Sequence, residues 1–185
     1  MRRFAGICLF TIGISFAALG QVDTVPANWT GPWKLNVKES TFETILVPGV
    51  PADFRILSQT IRIEQAANGI RISSDNTFFA GGGSSTRHED LPLRLDGTPT
   101  DLANVSLSFR RIDNFAFEII STLNVPNTNL GEVSRYVFSS DGSKLTATKI
   151  QTERALVPTG TDKSKGAVIR TSKFILLYDK LPEHE

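Results

Sequence analysis

From Trp33 onward the chain alternates apolar and polar residues with a period of two, and this pattern predicts strands rather than helices. Trp33, Leu35 and Val37 alternate with Lys34, Asn36 and Lys38. Ile61 and Ile63 alternate with Arg62 and Glu64, and Ile70 and Ile72 resume the pattern after Asn68-Gly69, a hairpin signal. Leu91, Leu93 and Leu95 lead to an Asp96-Gly97 turn. Val105, Leu107 and Phe109 form the next run, and Asp113-Asn114 turns the chain into Phe115, Phe117 and Ile119. Residues 132–139 end at Asp141-Gly142, a second hairpin signal, and residues 144–151 follow. The last predicted strand spans 168–178.

No segment of the mature chain carries a convincing helical period. Residues 41–55 are the least regular: Pro48 and Pro51 argue against a long helix, and a single helical turn fits near Phe42–Leu46. Gly81-Gly82-Gly83-Ser84-Ser85 predicts a flexible loop. It is no phosphate cradle, because the residues after it continue as a strand instead of starting a helix. The predicted fold is therefore all-β, about nine short strands in an antiparallel meander. Closing that meander into a barrel of 8–10 strands removes its exposed edges.

The amino end differs. Arg2 and Arg3 precede an apolar run from Phe4 to Leu19, and Ala18-Leu19-Gly20 supplies small residues for cleavage. The run, about 16 residues, is short of the roughly 20 that span a bilayer. Gln21 follows where a lipoprotein would need Cys. The expectation is a signal peptide at 1–20, a flexible segment at 21–28, a barrel at 29–180 and a disordered tail at 181–185, in a secreted or periplasmic protein that keeps no stable membrane insertion after cleavage.

Removing that segment changes the composition. The chain has 20 Lys+Arg and 19 Asp+Glu; without Arg2 and Arg3, 18 basic residues face 19 acidic ones, a net charge of −1. That balance offers no footprint for nucleic acid. The single Cys, Cys8, leaves with the signal, so the mature domain has no disulfide and must rest on its core. A chain of this size buries roughly 70% of its unfolded surface, enough for one domain.

Gly31-Pro32-Trp33-Lys34-Leu35-Asn36, followed by Ser40-Thr41-Phe42, resembles the opening of calycins, the superfamily of lipocalins and fatty-acid-binding proteins. The same segment is similar to small exported bacterial proteins with a Trp-Lys-Leu-Asn opening, a Ser-x-Asp-Gly-x-x-Leu-Thr hairpin (here Ser139–Thr146) and a last strand ending like Tyr178-Asp179-Lys180. The resemblance implies a lipocalin-like barrel in which Gly31 and Trp33 close one end. It implies Arg170 stacked on the opening Trp, and a Tyr in the last strand, here Tyr178, near a ligand. The Arg that fatty-acid-binding proteins place two residues before that Tyr is Leu176 here.

Catalytic chemistry is poorly provided for. The two His are His88, beside a Gly-rich stretch, and His184, in the charged tail. His88, Glu89 and Asp90 are consecutive on a strand and point to alternate faces, so they cannot converge on a metal ion. No spacing resembles a zinc site and no axial ligand suits haem, so no metal and no cofactor is expected. Binding is better supported. Phe109, Phe117 and Ile119 are candidate pocket lining or plain core, and Arg111 and Arg135 share the phase of apolar neighbours, where a charge is costly unless paired or used on a ligand. Two readings stand: an exported barrel that binds a small hydrophobic molecule, and a structural or protein-interaction module with a filled barrel. The sequence assigns no oligomeric state.

Overall fold

The computed structural model describes residues 26, 29–46, 55–66, 69–80, 82–123, 129–155 and 166–182. The expected signal segment, nearly all of 21–28 and the end of the expected tail lie outside the described residues. Leu181, the first residue of that tail, donates its amide to the Pro32 carbonyl at 3.0 Å.

Eleven strands occur among the described residues: β1 (Gly31–Leu35), β2 (Thr41–Leu46), β3 (Arg55–Ala66), β4 (Gly69–Ala80), β5 (Gly83–Arg94), β6 (Thr100–Leu102), β7 (Val105–Arg111), β8 (Ala116–Leu123), β9 (Leu130–Phe138), β10 (Lys144–Arg154) and β11 (Val168–Lys180). Every pairing is antiparallel. The ladder order is β5-β4-β3-β1-β11-β10-β9-β8-β7-β6, with β2 also on β11. The sheet curls until β5 approaches β6 and β7, a barrel nearly closed along that seam. The first and last strands are neighbours, Trp33 opposite Lys180 and Leu35 opposite Tyr178.

The structure corrects the sequence reading in three places. Residues 41–46 form β2 rather than a helical turn, because Thr41–Leu46 finds a partner in Ile175–Arg170 of β11, and Phe42 packs edge-on against Phe174. The Gly-rich stretch is largely strand: Ala80 pairs with Gly83, and Gly82 takes the left-handed φ of 80° that a tight hairpin needs. Val37 does not extend β1. The chain turns at Asn36, whose carbonyl accepts from the Ser40 amide at 3.1 Å, and Val37 is left exposed.

The pieces that carry the family resemblance meet at one corner. Asn36 donates to Asp179 at 3.3 Å, and Asp179 also pairs with Lys144. Ser40 Oγ accepts from the Leu177 amide at 3.0 Å. In the Ser139–Lys144 turn the Asp141 carboxylate accepts from Ser139 and Ser143, which hold its pKa down to about 2. Gly142 there has φ 69°.

One end of the barrel is filled by rings. Trp29 and Trp33 are both fully buried. Trp29 stacks on Phe138 at 5.6 Å and tilts against Phe117 at 4.9 Å; Trp33 meets Phe138 edge-on at 5.5 Å. Phe117 in turn stacks on Tyr136 at 4.7 Å and lies 5.4 Å from Phe109. Trp29 precedes the first strand, and by sequence it matters less than Trp33; in the structure it is an equal part of the plug. A turn brings it back over the barrel end, its amide bonded to the Pro26 carbonyl at 3.0 Å and its indole N–H to the Asn114 carbonyl at 3.0 Å.

Candidate functional site

Above the aromatic plug the inward face changes character. On β10 the inward phase runs Leu145, Ala147, Lys149, Gln151; on β9 it runs Phe138, Tyr136, Ser134, Glu132. Period two carries both strands from apolar to polar without changing face. Tyr136 stands directly opposite Ala147, Ser134 opposite Lys149, and Glu132 opposite Gln151. β11 adds Tyr178 and Ser172, and β3 and β4 add Gln59, Ser74 and Asn76.

These groups form two connected sets. Tyr178 donates to Gln59 Oε1, Gln59 donates to Asn76 Oδ1, and Asn76 donates to Ser74 Oγ at 3.0 Å. Glu132 accepts from Ser134 at 2.5 Å and from Gln151 at 2.6 Å. Lys149 Nζ lies 4.0 Å from Glu132 Oε1 and interacts with the Tyr136 hydroxyl. Although both face inward, the Lys149 side chain keeps 19% of its surface exposed and that of Glu132 22%. Both side chains thus keep partial contact with solvent, whereas Ala147, two residues before Lys149, is fully buried.

The electrostatics keep the pair ionised. Burial alone would lower the Lys149 pKa, but Tyr136, Glu132 and Tyr178 outweigh it and raise the ammonium above its ordinary value. Burial alone would raise Glu132, but Lys149 and the bonds from Ser134 and Gln151 hold it below the ordinary carboxylate value. Burial pushes both tyrosines up. A lysine kept protonated cannot act as a nucleophile. It can donate hydrogen bonds and offset negative charge.

The residues singled out from the sequence are scattered relative to this inward-facing polar set, the chamber of the reading below. Phe109 and Phe117 belong to the packed rings, and Ile119 is buried beside them. Tyr178 faces the chamber through its hydroxyl. Arg135 stands exposed on the outer face, between Val133 and Val137, which are also exposed. Arg111 lies at the plugged end, its guanidinium 5.5 Å from the Trp29 ring centre and 2.7 Å from Asn114 Oδ1. Arg170 does not reach the opening Trp. It pairs with Glu153 at 2.8 Å, ten positions up β11 from the residue opposite Trp33, roughly 33 Å along an extended strand. The cation over Trp33 is Lys180, 5.2 Å from the ring centre. Gly31 accommodates it: φ is 112°, and a Cβ there would sit 3.2 Å from Lys180 Cε.

His88, Glu89 and Asp90 diverge to separate partners, Asp75 at 2.9 Å, Arg87 at 3.2 Å and Arg71 at 3.6 Å. A groove of about 220 Å³ runs along the seam, lined by Ile70, Pro92, Leu93, Arg94 and Thr100 among others. It is smaller than the roughly 300 Å³ at which ligand pockets begin.

Lys149, Glu132, Tyr136 and Gln59 were not singled out by sequence reasoning. The available signal was phase: Lys149 is two residues after Ala147, and Glu132 is four before Tyr136. No protein-family model matches the chain, and no curated protein matches it either.

Proposed function

We propose that this chain is an exported, lipocalin-like barrel that binds a small hydrophobic molecule through the solvent-reached half of its interior. The observation that carries the reading is the inward-facing polar set above the plug. A barrel serving only as a scaffold gains nothing from a lysine, a glutamate, two tyrosines and three amides on its inner face, since burying such groups costs free energy that even good pairing seldom recovers in full. A few convergent polar groups over an apolar floor is the usual composition of a small-molecule site. In this reading Phe109, Phe117 and Ile119 form the floor beneath the ligand, and Tyr178 borders its polar end. Arg111 and Arg135 take no part. Export follows from the expected signal peptide, with a mature start at Gln21.

Binding of an environment-sensitive apolar fluorophore, at about one site per chain, tests the reading. Ala147→Phe, which fills the space beside Tyr136, should weaken that binding by an order of magnitude or more. Absence of probe binding to the folded protein would refute it. N-terminal sequencing of exported material tests the mature start separately.

One observation favours the second reading, an interaction module. Ile120, Val133 and Ile150 stand directly opposite one another across β8, β9 and β10, each about two-fifths exposed on the outer face. Substituting all three by Thr would abolish a partner interaction and leave probe binding intact.

A further inference from the structure

The one ion pair within the polar set is Lys149 with Glu132, 4.0 Å apart; farther up the same inward phase of β10 and β11, Arg170 pairs with Glu153 at 2.8 Å. The groups that act on Lys149 are Tyr136, Glu132, Tyr178 and Glu89, drawn from β9, β11 and β5. No cation in this set lacks a carboxylate.

Charge and hydrogen bonding separate at Lys149. At 4.0 Å, Glu132 lies beyond hydrogen-bond reach of the ammonium but well within Coulombic range. Both Glu132 oxygens already accept short bonds, from Ser134 and Gln151. The ammonium has three N–H donors, and none of them lies within hydrogen-bond distance of the Glu132 carboxylate. Lys149 is thus electrically compensated while still able to donate. A ligand carbonyl could accept from it at no electrostatic cost. A ligand carboxylate would accept equally well, but would bring a second negative charge beside Glu132 in a half-buried site, with no uncompensated cation to receive it.

We propose that the chamber selects lipophilic molecules whose polar end is an uncharged carbonyl acceptor (an ester, ketone or aldehyde) over the corresponding acids, with Lys149 donating to the carbonyl oxygen. This rests on the binding reading above. The selectivity belongs to the pair: Glu132 sets the charge that is refused and Lys149 the acceptor that is taken.

The experiment is competition against the bound fluorophore at neutral pH by three probes of one chain length: a straight-chain fatty acid, its methyl ester and the parent alkane. The expected order is ester first, displacing on the order of tenfold more tightly than the acid and severalfold more tightly than the alkane. Glu132→Gln keeps the shape of the side chain and removes its charge, and should turn the preference toward the acid. Lys149→Met should erase the advantage of ester over alkane. An acid that equals or beats the ester on the native protein overturns the proposal, and so does an ester no better than the alkane. In both cases the probe still binds, and the binding reading survives. If the fluorophore itself does not bind, the reading and the proposal fall together. Should either variant fail to fold, the three-way comparison on the native protein decides alone.

Discussion

The indole nitrogen of Trp33 donates to the backbone carbonyl of Trp29 at 3.2 Å, so the first strand's tryptophan holds the residue that caps it. Both rings are fully buried against Phe138. Trp33→Ala and Trp29→Ala should each cost about 3–5 kcal/mol, as truncation of large buried aromatics does. Because the two share a partner ring and a hydrogen bond, the double variant should lose less than the sum. Urea unfolding of the four proteins measures this. A loss below about 1 kcal/mol for Trp29→Ala would remove it from the plug.

Tyr136 and Tyr178 are the only two tyrosines of the chain, and both are buried. Burial raises both pKa values above the ordinary 10.0. A group whose pKa is raised in the folded state contributes stability that is complete below its unfolded value and is lost as pH rises beyond it. Stability should therefore fall above about pH 10. Tyrosinate absorbance should stay absent near that pH and rise together with unfolding. Ionisation of either tyrosine at its ordinary value, in folded protein, would show that its hydroxyl reaches bulk water.

Glu132 works in the opposite direction. Its carboxyl is held below the ordinary 4.5, so its contribution is present above that value and is lost as pH falls through the lowered one. Glu132→Gln should flatten this part of the acid limb. Lys149→Met should cost about 2 kcal/mol at neutral pH, less than the loss from breaking a fully buried pair, because both side chains keep partial contact with water. The double variant Glu132→Gln/Lys149→Met should recover most of that loss. Acid and urea titrations of the three variants check it; equal stability of Lys149→Met and the native protein would mean that the two charges are uncoupled.

The two arginines should separate cleanly. Arg135→Met should change stability by under about 0.5 kcal/mol and leave probe affinity as it is, since the side chain stands on the outer face. Arg111→Met removes the guanidinium stacked on Trp29 and bonded to Asn114, and should cost about 1 kcal/mol without altering the ligand preference. Thermal unfolding and probe titration read both effects. A changed acid-to-ester ratio in either variant would return that arginine to the ligand site.

Alternation along single strands and turn chemistry were enough, by themselves, to determine an all-β meander, the Asp141-Gly142 hairpin and the inward phase of Ile61, Ile63, Leu107 and Phe109. These features are local, because period two and turn chemistry are written within a few consecutive residues. The tertiary structure decided what depends on distant partners. β2 forms because β11 offers it an edge, whatever Pro48 and Pro51 suggest nearby. Trp29 is buried because a turn outside any strand folds it over the barrel end. Alternation sorts residues into two faces but carries no measure of depth along the barrel axis. Arg111 and Arg170 share an inward phase with apolar neighbours, yet one lies at the plugged end and the other far up β11, each against a partner the sequence does not name. Lys149 and Glu132 come together for the same reason: the β9–β10 register sets Ser134 opposite Lys149 and leaves Glu132 on the adjacent diagonal, and only pairing across strands fixes such a register.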